Sequence, residues 1–109
     1  MVKNTIKKIE SSIKRSSIAD KKKKELVRLL AQLKIEIEKL SRTHGEQAQS
    51  IAGFTQVASH EATRKEKSTD LVQFSLDGLA SSVEGFEASH PRLAKTVNDL
   101  CNLLSGIGI

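Results

Sequence analysis

Residues 26–40 read LVRLLAQLKIEIEKL, and within them Leu26, Leu30, Leu33, Ile37 and Leu40 recur at alternating steps of four and three. One apolar residue per 3.5 positions keeps every rung on one face of an α-helix, the spacing of a helix-packing seam. A second ladder, Val72, Leu76, Leu79, Val83 and Phe86, repeats the pattern further along the chain. The chain is therefore read as all-α. The fold expected is an elongated helical hairpin or bundle with a coiled-coil-like seam and about four helices.

Composition agrees with helical layers. The 109 residues suffice for a single small domain, and the apolar content of 38% includes three phenylalanines but no tyrosine or tryptophan. Such an aliphatic core suits packed helices better than a β-sandwich, where aromatic and β-branched residues dominate. One cysteine, Cys101, excludes an internal disulfide, so a reducing compartment is the simpler expectation. The basic start is not followed by an apolar run of signal-peptide length, and nothing approaches the roughly 20 apolar residues of a membrane span. A cytoplasmic protein without a membrane span is expected.

The single domain, residues 1–109, is divided into a basic N-terminal hairpin (1–62), a turn or linker (63–68) and a C-terminal helix pair (69–109). Val2, Ile6, Ile9 and Ile13 share one face of a first helix over 4–15. Ser17 and Asp20 have capping-box spacing and mark a reversal into the second helix. That helix runs from about Ile18 to Arg42. Its ladder extends in frame through His44, Gln47, Ile51, Phe54 and Ala58, making Gly45 a weak point in one continuous helix. Such a helix would be about 39 Å long to Thr43, or about 67 Å to Ala62, against a radius of gyration of about 13 Å for a compact chain of this size. An elongated shape and a partner chain follow. Ser68 or Thr69 caps a third helix over 69–88, Ser89 caps a fourth beginning near Pro91, and Gly106 is placed to end it in a left-handed conformation.

The segment Val83-Glu84-Gly85-Phe86-Glu87-Ala88-Ser89-His90-Pro91-Arg92-Leu93, with Leu100, Leu104 and the closing Gly106-Ile107-Gly108-Ile109, resembles the signature of a family of short bacterial helical proteins classed as a domain of unknown function. The leucine-rich helix around Leu26–Leu33 resembles that family as well. The resemblance implies a helical fold and a bacterial cytoplasmic origin, and it transfers no activity, cofactor or catalytic residue.

No residue pattern carries catalysis. His60-Glu61-Ala62-Thr63-Arg64 starts like the zinc motif H-E-x-x-H, but Arg64 stands where the second imidazole must be, and a guanidinium cannot ligate zinc. A lone Cys101 beside Leu100 reads as a small buried hydrophobe. No phosphate-binding glycine loop or nucleophile elbow is present. Neither enzyme nor cofactor is expected.

Charge is uneven. Residues 1–43 carry a net +8 and residues 44–109 a net −3, which together make the +5 of the chain. Lys21, Lys22, Lys23 and Lys24 open the second helix, where its partial positive charge disfavours cations, and Lys14 and Arg15 face them across the turn. Two functions follow. The first is a non-enzymatic structural or protein-interaction module, self-associating as a homodimer or holding another protein through Leu26, Leu30, Leu33, Ile37, Leu40, Ile51 and Phe54. The alternative is sequence-independent binding of nucleic acid or another polyanion at Lys14, Arg15 and Lys21 to Lys24.

Overall fold

The computed structural model describes residues 2–109, with side chains described from Asn4 onward, so Val2 of the isoleucine stripe lies outside the described side chains. Those residues form five helices: α1 (Val2–Arg15), α2 (Asp20–Ser41), α3 (Gly45–Thr63), α4 (Thr69–Ser82) and α5 (Pro91–Gly108). Short connections reverse the chain each time, so successive helices run in opposite directions. The helix count is five rather than about four because the long second helix is two helices.

The break falls at Arg42–His44. The Thr43 and His44 amides both donate to the Leu40 carbonyl (3.1 and 2.8 Å), and the Ser41 hydroxyl donates to the Glu38 carbonyl (2.7 Å). The His44 bond is the ordinary four-residue helical one, but the Arg42 and Thr43 amides reach only three residues back, Arg42 to the Lys39 carbonyl (3.4 Å), which tightens the last turn as the helix ends. His44, at φ −135° and ψ 61°, leaves helical geometry, and Gly45 starts α3. The in-frame extension of the ladder past Thr43 does not hold: Gln47 and Phe54 face outward, and the buried frame of α3 is Ala48, Ala52, Thr55, Ser59 and Ala62, joined by Ile51 and Ala58. The shape is correspondingly not elongated. The chain measures 37 × 24 × 21 Å, with a radius of gyration of 12.8 Å.

Helix α3 occupies the centre, packing against all four other helices. Its inner face is mostly alanine, serine and threonine, so neighbouring backbones approach closely while larger residues from outside fill the gaps. Those come from Ile6, Ile9 and Ile13 of α1, the α2 ladder, Val72, Leu76 and Leu79 of α4, and Leu93, Val97, Leu100 and Leu104 of α5. The Thr55 hydroxyl donates a hydrogen bond to the Ile51 carbonyl (2.7 Å), which offsets the cost of burying it.

Helix ends differ in detail from the sequence expectations. Ser68 caps α4 as expected, its hydroxyl accepting from the Leu71 amide (3.3 Å). The first residue outside α2 is Ala19, with no side-chain cap, so Ser17 and Asp20 form no capping box. His90 rather than Ser89 takes the cap position before Pro91. The helix expected over 69–88 is α4, which stops at Ser82, six residues before the expected end, and residues 83–90 form turns. There Gly85 adopts φ 92°, a left-handed conformation that glycine reaches without a Cβ clash, and its amide donates to the Glu87 carboxylate (2.8 Å). Gly85 is the one glycine with positive φ among the described residues, so Gly106 is not a left-handed stop and α5 runs on to Gly108.

Candidate functional site

The ladder residues proposed as an interface lie inside the chain's own core. Leu26, Leu30, Leu33, Ile37, Leu40 and Ile51 each have 0% of their surface exposed, covered by the other helices of the same chain. A second copy cannot reach them in this fold. Phe54 alone of that set is accessible, at 42%.

Phe54 belongs to a different surface. On α3 it shares an outer stripe with Ser50 and Val57, and on α4 Leu71, Phe74 and Gly78 follow at steps of three and four. The Phe54 ring lies over Gly78, where an added Cβ would come within 2.6 Å of it, so the glycine makes the seat for the ring. An open cleft of about 440 Å³ continues beside them, lined by Glu46, Gln47, Ser50, Ser81 and Ser82. Val57, Leu71 and Phe74 are roughly half or more exposed, Phe74 at 67%. Two of the three phenylalanines are thus on the outside of the α3–α4 hairpin. Neither helix contains a lysine or arginine.

A basic end forms where the α1–α2 turn meets the α3–α4 loop. A cleft of about 390 Å³ is lined there by Ile18, Lys22, Arg64, Lys65, Lys67 and Ile107, among others. To Lys14, Arg15 and Lys21 to Lys24 the fold adds Arg64, Lys65 and Lys67, from the stretch 63–68 expected as a turn or linker. It also resolves the unfavourable placement of the lysine run at a helix start. The C-termini of α1, α3 and α5 point to this end, and their carbonyls attract cations. The Lys22 ammonium donates to the Gly106 carbonyl (3.4 Å) and Lys23 to the Lys14 carbonyl (3.2 Å).

At the opposite end His44, Phe86 and His90 pack edge to face, with ring centroids 5.4 to 6.3 Å apart. The two histidines occupy matching positions: each precedes a helix, with φ near −135°, and each shares a hydrogen bond through Nδ1 with the preceding hydroxyl, Thr43 or Ser89. The cluster ties the α2–α3 turn to the α4–α5 connection, a contact that a separation of 46 positions hid from the sequence. Among the described residues no group of three or more histidine, cysteine or carboxylate side chains is placed to hold a metal.

Cys101 is half-buried, and its thiol reaches the Leu76 carbonyl (3.9 Å). Burial pushes its pKa up, and the Asp77 carboxylate adds to the shift. Since the thiolate is the nucleophile, Cys101 in the folded chain is expected to react with iodoacetamide at pH 8 more slowly than in urea-unfolded chain. Equal rates would mean the thiol is freely solvated.

A family model described as Domain of unknown function (DUF4404) matches residues 2–109, and the chain belongs to that family. No match was found among curated proteins or among solved structures. The family match spans the central segment, including α3, as well as the two ends that carried the resemblance. Among the described residues no helix is long and apolar enough to cross a membrane.

Proposed function

We propose that the chain is a non-enzymatic helical interaction module of the cytoplasm that pairs with a second copy of itself through the outer face of α3 and α4. The observation that carries this reading is the exposure of Phe54 and Phe74, with Val57 and Leu71, on two helices that contain no lysine or arginine. Exposed parts of these four side chains supply roughly 300–400 Å² per protomer, as large as the largest apolar patch of an ordinary monomer. A stable interface buries about 800 Å² per partner, so the patch makes the centre and the serine-rich cleft beside it the rim. Like-charge opposition is small because the two helices carry only Glu46, Glu61, Asp70 and Asp77. This interface retains Phe54 from the sequence-derived set and replaces the buried ladder.

Sedimentation tests it. The chain is expected to run at twice its mass at micromolar concentration, and Phe74→Asp to return it to a monomer with unchanged far-UV circular dichroism. A central aromatic is worth about 2 kcal/mol or more and appears twice in a two-fold interface, so dissociation should strengthen by about three orders of magnitude. A wild-type chain that stays monomeric at every concentration sinks the proposal.

A second reading, polyanion binding, is favoured by the convergence of two basic segments at one end. Lys22 and Lys23 hold helix termini, so glutamines at Arg64, Lys65 and Lys67 are the cleaner change. They should weaken retention on a heparin column while leaving the fold intact.

A further inference from the structure

The basic end is not uniformly polar. Residues 14–24 and 61–67 bring nine cations to it against three carboxylates, Asp20, Glu61 and Glu66, and Glu61 is already paired with Arg64 (3.2 Å). Among the described residues only Lys22 and Lys23 are engaged by helix-end carbonyls. Lys21, Lys24, Lys65 and Lys67 make no hydrogen bond or ion pair among the described residues, which leaves more charge than the helix ends use. Ile18 and Ile107, both half-buried, line the cleft among these cations, and Ile109, 62% exposed, follows Ile107 by two residues at the end of α5.

From this juxtaposition we infer that the basic end docks on an anionic phospholipid surface, with the lysines and Arg64 on headgroup phosphates and the isoleucines entering the headgroup–acyl boundary. The inference rests on the polyanion reading and names its ligand. Two features select a bilayer over nucleic acid. Single strands are held by stacking on aromatic rings, and no aromatic side chain lines this cleft. The open parts of Ile18 and Ile107 and the exposed Ile109 gain nothing from a phosphate backbone but do gain from burial at a lipid interface. The apolar contribution is small and the charge contribution large, so attachment should be reversible and salt-sensitive.

Flotation with vesicles of phosphatidylcholine, with and without 30% phosphatidylserine, tests the inference alongside retention of a duplex DNA fragment. The full chain should float with phosphatidylserine vesicles at low salt and stay behind with phosphatidylcholine alone. The triple change Arg64→Gln, Lys65→Gln, Lys67→Gln should lower vesicle affinity about 150-fold, near fivefold per cation removed. Ile109→Ser, at an exposed site, should weaken vesicle binding several-fold and leave any DNA binding unchanged. DNA retention without phosphatidylserine-dependent flotation overturns the lipid inference and keeps the polyanion reading. Binding to neither probe overturns both.

Discussion

Replacing Leu33 by aspartate is expected to unfold the chain at room temperature, read as loss of the far-UV helical signal. Leu33 is fully buried in the middle of α2, between the levels of Leu30 and Ile37, and α2 packs against α1, α3 and α5 of the same chain. Truncating such a leucine to alanine costs about 2–5 kcal/mol, the spread reflecting how far the cavity collapses. An aspartate adds the desolvation of a carboxylate with no partner, several kcal/mol more or a large upward pKa shift. A domain of this size has only about 5–15 kcal/mol in total, so the sum takes most or all of it. Leu33→Ala should remain folded with a markedly lower urea midpoint. A seam between two copies would behave differently: Leu33→Asp would then give a folded, fully helical monomer. That result would show that α2 faces a partner and would overturn the arrangement described here. The pair Leu33→Asp and Phe74→Asp thus separates core from interface, one losing helix and the other losing mass.

The class of the fold was legible because large aliphatic side chains at steps of three and four leave a helical signature whatever they pack against. That same indifference is why the ladder could not say whether it met its own chain or another. A stripe of leucines is satisfied equally by an intramolecular bundle and by a dimer. The difference lay in Arg42–His44, where no proline marks a stop and the helix ends through hydroxyl and amide bonds to the Leu40 and Glu38 carbonyls. Serine and threonine make such bonds within helices too, so their presence at 41 and 43 did not announce a reversal. The centre of the bundle was hidden for a related reason. Ala48, Ala52, Thr55, Ser59 and Ala62 form a regular four-three frame, but small and polar side chains carry little weight in a hydrophobic pattern. Phe54, the most apolar residue nearby, drew the frame to the wrong side of the helix. Six of the nine cations at the basic end are legible from the lysine run with Lys14 and Arg15. The other three, Arg64, Lys65 and Lys67, needed the fold, because nothing local tells a charged connector that it will land beside a turn more than 40 residues earlier.

Gly108→Ala is expected to destabilise the chain although alanine is the better helix former. At Gly108 an added Cβ would sit 2.9 Å from the Ala62 Cα, 3.0 Å from the Val72 Cγ1 and 3.1 Å from the Ala62 Cβ. The nearest atom is backbone of the central helix and cannot rotate away, so the last turn of α5 must move off α3. Overpacking of this kind costs about 1–3 kcal/mol, against about 1 kcal/mol gained at most from helix propensity near a frayed end. The net expected is a lower urea midpoint, with Gly108→Val lower still. Gly106→Ala is the control. It lies in the same helix two residues earlier with nothing within 4 Å of its added Cβ, and it should be neutral or stabilising by up to about 1 kcal/mol. Ala62→Gly should rescue Gly108→Ala poorly, because it removes the contact at 3.1 Å and leaves the one at 2.9 Å. The displacement also reaches the basic end. Lys22 donates to the Gly106 carbonyl and Ile107 lines the cleft, so a shifted last turn frees that lysine and changes the apolar part of the surface. Stability and the geometry of the basic end should therefore change together in Gly108→Ala and neither should change adversely in Gly106→Ala; equal behaviour of the two variants would mean that α5 does not seat against α3 as closely as 2.9 Å requires.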